Sequence, residues 1–232
     1  MYYSIIASLL ASLLLVACQS PPQVQTGKDA EVIQGSLVRV NNSLARMAYI
    51  DPDVDFGKYT AIQLAPLGVD NVKIIQPSAS YSASRNRQWE LTDADKLGLQ
   101  KDFQEAMSKQ LSGKDGYPLA ETAGDNVLRL SAILTRLAPA APKDDNRSRP
   151  VGRSTVITEG AGRIDIAVIF SDSQTGEVLA LIKDSRAGSS QWGINNNVTN
   201  AAEVRRAFNS WAMQIRTQLD RINDKNKSDR KR

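Results

Sequence analysis

Gly162-Arg163-Ile164-Asp165-Ile166-Ala167-Val168-Ile169-Phe170-Ser171-Asp172 runs into Ser173-Gln174-Thr175-Gly176 and then into Glu177-Val178-Leu179-Ala180-Leu181-Ile182-Lys183-Asp184. Ile164, Ile166, Val168 and Phe170 recur at every second residue, so an extended chain puts them on one face. The segment from Glu177 to Asp184 reads as a partner strand. The link between the two ends in Gly176, which can take positive φ, as a hairpin connection requires. Upstream, Val127 to Leu137 reads as a third long strand, in which Leu128, Leu130, Ala132 and Leu134 alternate with Arg129, Ser131, Ile133 and Thr135. Tyr59 to Leu67, closed by Pro66, and Val72 to Ile75 read as shorter strands.

Two segments carry helical spacing instead. Thr92 can cap the free amides of a helix whose first turn holds Asp93 and Asp95; Leu99, Phe103, Ala106, Met107 and Leu111 form its stripe, and Gly113 marks its stop. Asn200-Ala201-Ala202-Glu203 resembles a capping box with Asn200 in the cap position. Val204, Phe208, Trp211, Ile215, Leu219 and Ile222 follow as one narrow apolar stripe. The order strand, helix, strands, helix predicts an α+β fold: a two-layer sandwich of a mainly antiparallel sheet with two main helices packed on it. Between these elements, Gly35 to Tyr49 is weakly patterned. Asp51-Pro52-Asp53-Val54-Asp55 reads as a turn rather than a calcium loop, because Ile62 stands where an EF-hand needs glutamate. Pro77 to Gln88 and Ala138 to Gly152 read as surface loops.

The N-terminus has a different character. Ile5 to Ala17 is an apolar run that as a helix covers about 20 Å, short of the roughly 30 Å of bilayer hydrocarbon. It fits the hydrophobic region of a signal peptide. The run stops at Leu15-Val16-Ala17-Cys18, which resembles the lipobox of bacterial lipoprotein precursors. That resemblance implies cleavage before Cys18, diacylglycerol on its thiol and acylation of the new N-terminus, and several acyl chains anchor durably where one does not. Gln19 at the second mature position implies the outer membrane rather than the inner, with the protein facing the periplasm. The expected organisation is a signal peptide over 1–17, a lipidated tether over 18–34, a single domain over 35–223 and a basic tail over 224–232. The tail holds five basic residues against one acid from Lys225 to Arg232 and is read as a solvated end rather than a contact to anionic lipid or peptidoglycan.

Composition excludes more than it specifies. The chain has 232 residues, of which 41% are hydrophobic and 23% charged, so a folded core is expected. It has no histidine, which removes serine–histidine and cysteine–histidine catalysis and histidine-ligated metals. Cys18 is the single cysteine, so no intramolecular disulfide forms. A net charge of +4 from 29 basic and 25 acidic residues carries no nucleic-acid signature.

The assembled motifs resemble a family of uncharacterised Gram-negative lipoproteins, domain of unknown function 3313. The resemblance rests on Tyr49-Ile50-Asp51-Pro52, Phe56-Gly57-Lys58-Tyr59, Ala65-Pro66, Leu128-Arg129-Leu130, Asp172 to Leu179 and Asp184-Ser185-Arg186, and covers most of residues 35 to 222. It implies an envelope lipoprotein and no reaction. Asp172, Glu177 and Asp184 are the candidate carboxylates for acid–base chemistry, but turn chemistry accounts for the aspartate and glycine of the hairpin. Ser154-Thr155 and Lys183 lack a base or nucleophile partner, and Gly160 and Gly162 are not followed by the Gly-Lys-Ser/Thr of a phosphate loop. No metal or cofactor is expected. The reading leans against an enzyme and towards a non-enzymatic interaction or assembly module with an envelope protein or peptidoglycan partner. The alternative is a carboxylate enzyme or small-ligand protein with its site at the Asp172–Gly176 hairpin. Partner and oligomeric state have no signature in the chain.

Overall fold

Leu128, Leu130, Ala132 and Leu134 are at most 2% exposed, whereas the intervening Ile133 is 42% exposed. The alternation thus has one covered face and one open face. A computed structural model describes residues 20–77, 88–141, 157–194 and 197–229. The segment read as a signal peptide, Cys18, Ser154-Thr155 and the last three residues lie outside them.

In chain order the strands are β1 (Gln23–Val24), β2 (Val32–Ile33), β3 (Leu37–Asn41), β4 (Met47–Ile50), β5 (Ala61–Leu64), β6 (Lys73–Ile74), β7 (Val127–Pro139), β8 (Ile157–Glu159), β9 (Gly162–Asp172), β10 (Val178–Ala187) and β11 (Trp192–Ile194). The helices are α1 (Asp93–Leu111) and α2 (Asn197–Asp229). Nine strands form one open sheet in the order β1-β3-β4-β10-β9-β7-β5, with β2 also on β3 and β6 also on β7. Strands β8 and β11 pair separately. The fold is α+β, with two helices against a mostly antiparallel sheet, as expected.

The β9–β10 hairpin and β7 are the spine of this sheet. Their register aligns Leu130, Phe170 and Ala180 in one row, and Ala132, Val168 and Ile182 in the next. These rows face the helices. The β5–β7 pair is parallel, so the chain must cross over between them, and α1 lies in that crossover. Thr92 and Asp95 form a reciprocal capping box at the start of α1. Phe103 of α1 meets Phe208 of α2 edge to face, with ring centres 5.6 Å apart. At the far end of α1, Arg216 of α2 donates to four carbonyls, those of Gln110, Leu111, Lys114 and Asp115, at 3.0–3.4 Å. Long-range side-chain donors thereby satisfy the acceptors that a helix C-terminus leaves open.

Three features depart from the sequence reading. The weakly patterned stretch from Gly35 to Tyr49 contains β3 and β4, which extend the sheet beyond β10. Its pattern is weak because the face away from the helices also buries an apolar side chain; Tyr49 is 4% exposed, its hydroxyl donating to Glu31 and its ring lying 5.2 Å under the Arg39 guanidinium. Helix α2 begins at Asn197, so Asn200 is inside it, and Glu203 accepts from the Ala161 amide at 2.8 Å instead of closing a capping box. A distant amide has displaced the local partner. Finally, β1 and β2, within the stretch read as tether, pair with β3, and α2 runs through Asp229 into the stretch read as tail. Extending a nucleated helix by a few residues needs little stabilisation.

Candidate functional site

Of the carboxylates singled out from the sequence, Asp172 and Glu177 flank the hairpin turn, and Asp184 does not join them. Asp184 pairs with Ile166, six residues along β9 from Asp172, which at about 3.3 Å per residue separates them by roughly 20 Å. Paired-carboxylate hydrolysis uses separations below about 10 Å.

Asp172 is committed to the hairpin. Its Oδ1 accepts from the Gln174 and Thr175 amides at 3.0 and 3.1 Å. Its Oδ2 accepts from the Tyr59 hydroxyl at 2.9 Å and lies 3.5 Å from Lys58 Nζ. The Thr175 amide, followed by the Tyr59 hydroxyl, holds its carboxyl down at about 2 against the opposing effect of burial. Burial in turn pushes the Tyr59 phenol up. A carboxylate so fully engaged is a poor proton carrier near neutrality. Gly176, at φ +75°, takes the left-handed conformation the turn needs. Glu177 is exposed beside it.

The glycines at 160 and 162 also serve packing. A Cβ at Gly160 would lie 2.5 Å from the Ser189 carbonyl oxygen, and one at Gly162 would overlap the Ala138 carbonyl oxygen. Lys183 is exposed on the sheet face away from the helices, opposite Ala167 and Met47. Among the described residues no cluster of carboxylates or cysteines suits a metal ion.

Asp184 has a different setting. It is 9% exposed, and its Oδ2 accepts from Trp211 Nε1 at 2.8 Å while Oδ1 accepts from the Arg46 amide at 3.0 Å. Arg186 Nη2 approaches to 3.3 Å. This carboxylate pins α2 and the β3–β4 turn to β10, and its partners account for its burial.

Beside that pin the helix layer ends. Helix α2 lies over β10, tied by Trp211 to Asp184 and by Gln214 to Arg186, while α1 sits towards β5 through the Gln100 amide on the Leu67 carbonyl. No helix among the described residues crosses β3 and β4. The outcome is an apolar cleft of about 600 Å³. Its floor includes Ala48, Ile50, Val40 and Ile182, and its wall is the α2 stripe Trp211, Ile215, Leu219 and Ile222. Pro21, Pro22, Leu44 and Arg221 stand at its rim. The size is within the usual range of small-ligand sites. The mainly apolar lining and the fully partnered Asp184 suit an uncharged hydrocarbon surface, with the Gln218 amide nitrogen the one buried polar atom of the lining that lacks a partner among the described residues.

A second cavity, of about 380 Å³, lies where the starts of both helices meet the ends of β7, β9 and β10. Much of its polar lining is engaged: Glu203 holds the Ala161 amide, Asp102 lies 3.7 Å from Arg205, and Arg186 donates to Gln214 through Nη2 while its Nε has no partner among the described residues. Burial raises the Asp102 carboxyl above its ordinary value. Neither cavity includes Asp172 or Glu177.

The sequence reading placed Trp211, Ile215, Leu219 and Ile222 in a core stripe and did not recognise their cleft-lining side. Leu44 was the available signal: a leucine in a polar turn, 52% exposed in the fold.

The chain belongs to the family described as protein of unknown function DUF3313, whose profile matches residues 36–215. Among solved structures it is similar to a protein from Xanthomonas campestris of the DUF330 family, at 13% identity and a TM-score of 0.40, covering 73% of this chain and 88% of that one. It is also similar to PelC from Paraburkholderia phytofirmans, crystallised as a dodecamer, at 11% identity and a TM-score of 0.36, covering 68% and 89%. No curated protein matches it. No helix among the described residues is long and apolar enough to cross a membrane.

Proposed function

We propose that this family member is a non-enzymatic envelope lipoprotein. Lipid on Cys18 ties it to a membrane, the outer rather than the inner, with residues 35–223 on the periplasmic side, and the cleft beside α2 holds an aliphatic chain. The observation that carries the binding role is the cleft itself: an aliphatic recess of about 600 Å³ whose one buried carboxylate is fully partnered. Lipidation is supported by the Leu15-Val16-Ala17-Cys18 motif. The spent acceptors of Asp172 speak for a hairpin that is architecture.

The test uses full-length Cys18→Ser protein, which keeps the domain and carries no lipid. Titrated with N-phenyl-1-naphthylamine, it is expected to enhance the dye's fluorescence saturably, and Leu44→Glu at the exposed rim should weaken that binding without altering the circular dichroism spectrum. Dye response that is linear in protein, or insensitive to the rim substitution, removes the cleft as a binding site.

A further inference from the structure

We infer that the occupant of the cleft is one acyl chain of the protein's own lipid, carried by Cys18. This rests on the lipid-anchored reading above and names the ligand of that same site.

The course of the chain makes the case. Val24 pairs with Val40 in the register of β1 on β3, and Val40 is part of the cleft floor. That pairing holds the preceding residues at the mouth, where Pro21 and Pro22 line the rim. Cys18 is three residues from Pro21, a span of at most about 10 Å when fully extended. The attachment point of the lipid is therefore tethered within one short step of an aliphatic recess. An acyl chain asks for no hydrogen bond, and the Asp184 carboxylate near the floor has its own donors in Trp211 and Arg46, so filling the recess strands no charge.

Membrane attachment tolerates this diversion. A single chain anchors only marginally, and durable anchoring comes from chains acting together. A lipoprotein with one chain withdrawn keeps the others in the bilayer, so recess and bilayer compete for the third.

A fatty acid carrying a diazirine, fed to cells expressing the full-length chain, labels Cys18 and reports its own surroundings on irradiation. Purified lipidated protein is expected to yield intramolecular crosslinks from Cys18 to peptides containing Leu44–Ile50, Ile182 or Leu219–Ile222. Leu44→Glu should deplete those crosslinks several-fold while the label on Cys18 stays constant. Label on Cys18 with crosslinks only to lipid, to other proteins or to a second copy of the chain overturns the inference and leaves dye binding to the cleft untouched. Failure to label Cys18 overturns the anchor and this inference together.

Discussion

Replacing Asp172 by asparagine separates a structural hairpin from a catalytic one. The shape is nearly unchanged, and the side-chain oxygen can still accept from the Gln174 and Thr175 amides. The negative charge is lost, and an amide group then faces the Tyr59 hydroxyl and the Lys58 ammonium, 2.9 and 3.5 Å from the present Oδ2. The magnitude follows from the carboxyl itself. Its fall from 3.8 to about 2, at about 1.4 kcal/mol per unit, corresponds to roughly 2 kcal/mol favouring the folded state. Because the folded value is depressed, this stabilisation is complete above the unfolded value of about 3.9 and disappears as pH falls towards about 2. Asp172→Asn should therefore cost roughly 2 kcal/mol at pH 7, lowering the melting temperature by roughly 4–8 °C for a domain of this size. The gap to the parent protein should narrow steadily between pH 5 and pH 2. Urea denaturation at several pH values reads both effects. A variant as stable as the parent at pH 7, as expected when a strained functional group is relieved, would refute the reasoning. So would a gap that is independent of pH.

Asp184→Ala should cost about 3 kcal/mol, because Trp211 Nε1 and the Arg46 amide lose their acceptor in a buried place; a loss below about 1 kcal/mol in chemical denaturation would contradict the pinning role. Arg216→Ala should cost about 2 kcal/mol and raise amide exchange at Ser112, Gly116 and Tyr117 ahead of the rest of the protein, since two carbonyls in the last turn of α1 and two in the loop after it each lose the guanidinium donor. Uniform exchange would show that Arg216 does not secure that end. Cys18→Ser should abolish incorporation of labelled palmitate in cells while leaving the melting temperature of the domain unchanged; persistent labelling would place the lipid elsewhere.

The parts of the fold that could be read from the sequence are those where one physical pattern acts alone. Strand β9 was bounded to the residue because Ile164, Ile166, Val168 and Phe170 face a helix layer while Arg163 and Asp165 do not. The start of α1 was equally clear, since Thr92 and Asp95 lie three residues apart and satisfy each other locally. The start of α2 was misplaced where local and distant partners competed. Asn200 and Glu203 have capping-box spacing, yet Glu203 serves the Ala161 amide across the fold and the helix begins at Asn197. Strands β3 and β4 were missed for a related reason. Tyr49 is buried on the face away from the helices by Glu31 and Arg39, so the expected alternation of apolar and polar residues is absent.

The cleft was less legible still, because it consists of surface that no element covers. Ile182 in β10 and Val168 in β9 are register partners with the same apolar character, and nothing in either residue tells which is the better covered. Coverage is decided by where α2 crosses the sheet. That depends on pairwise ties between segments far apart in the chain, Trp211 to Asp184 and Arg216 to the end of α1. With two α-helices among the described residues over a sheet of nine strands, some apolar strand surface is left without one. The ties place that surface at β3 and β4, the end of the sheet where β1 pairs with β3. An apolar recess left open to water carries a cost. That cost is offset when a hydrocarbon fills the recess, and the lipid proposed on Cys18 would be attached three residues before Pro21 at its rim.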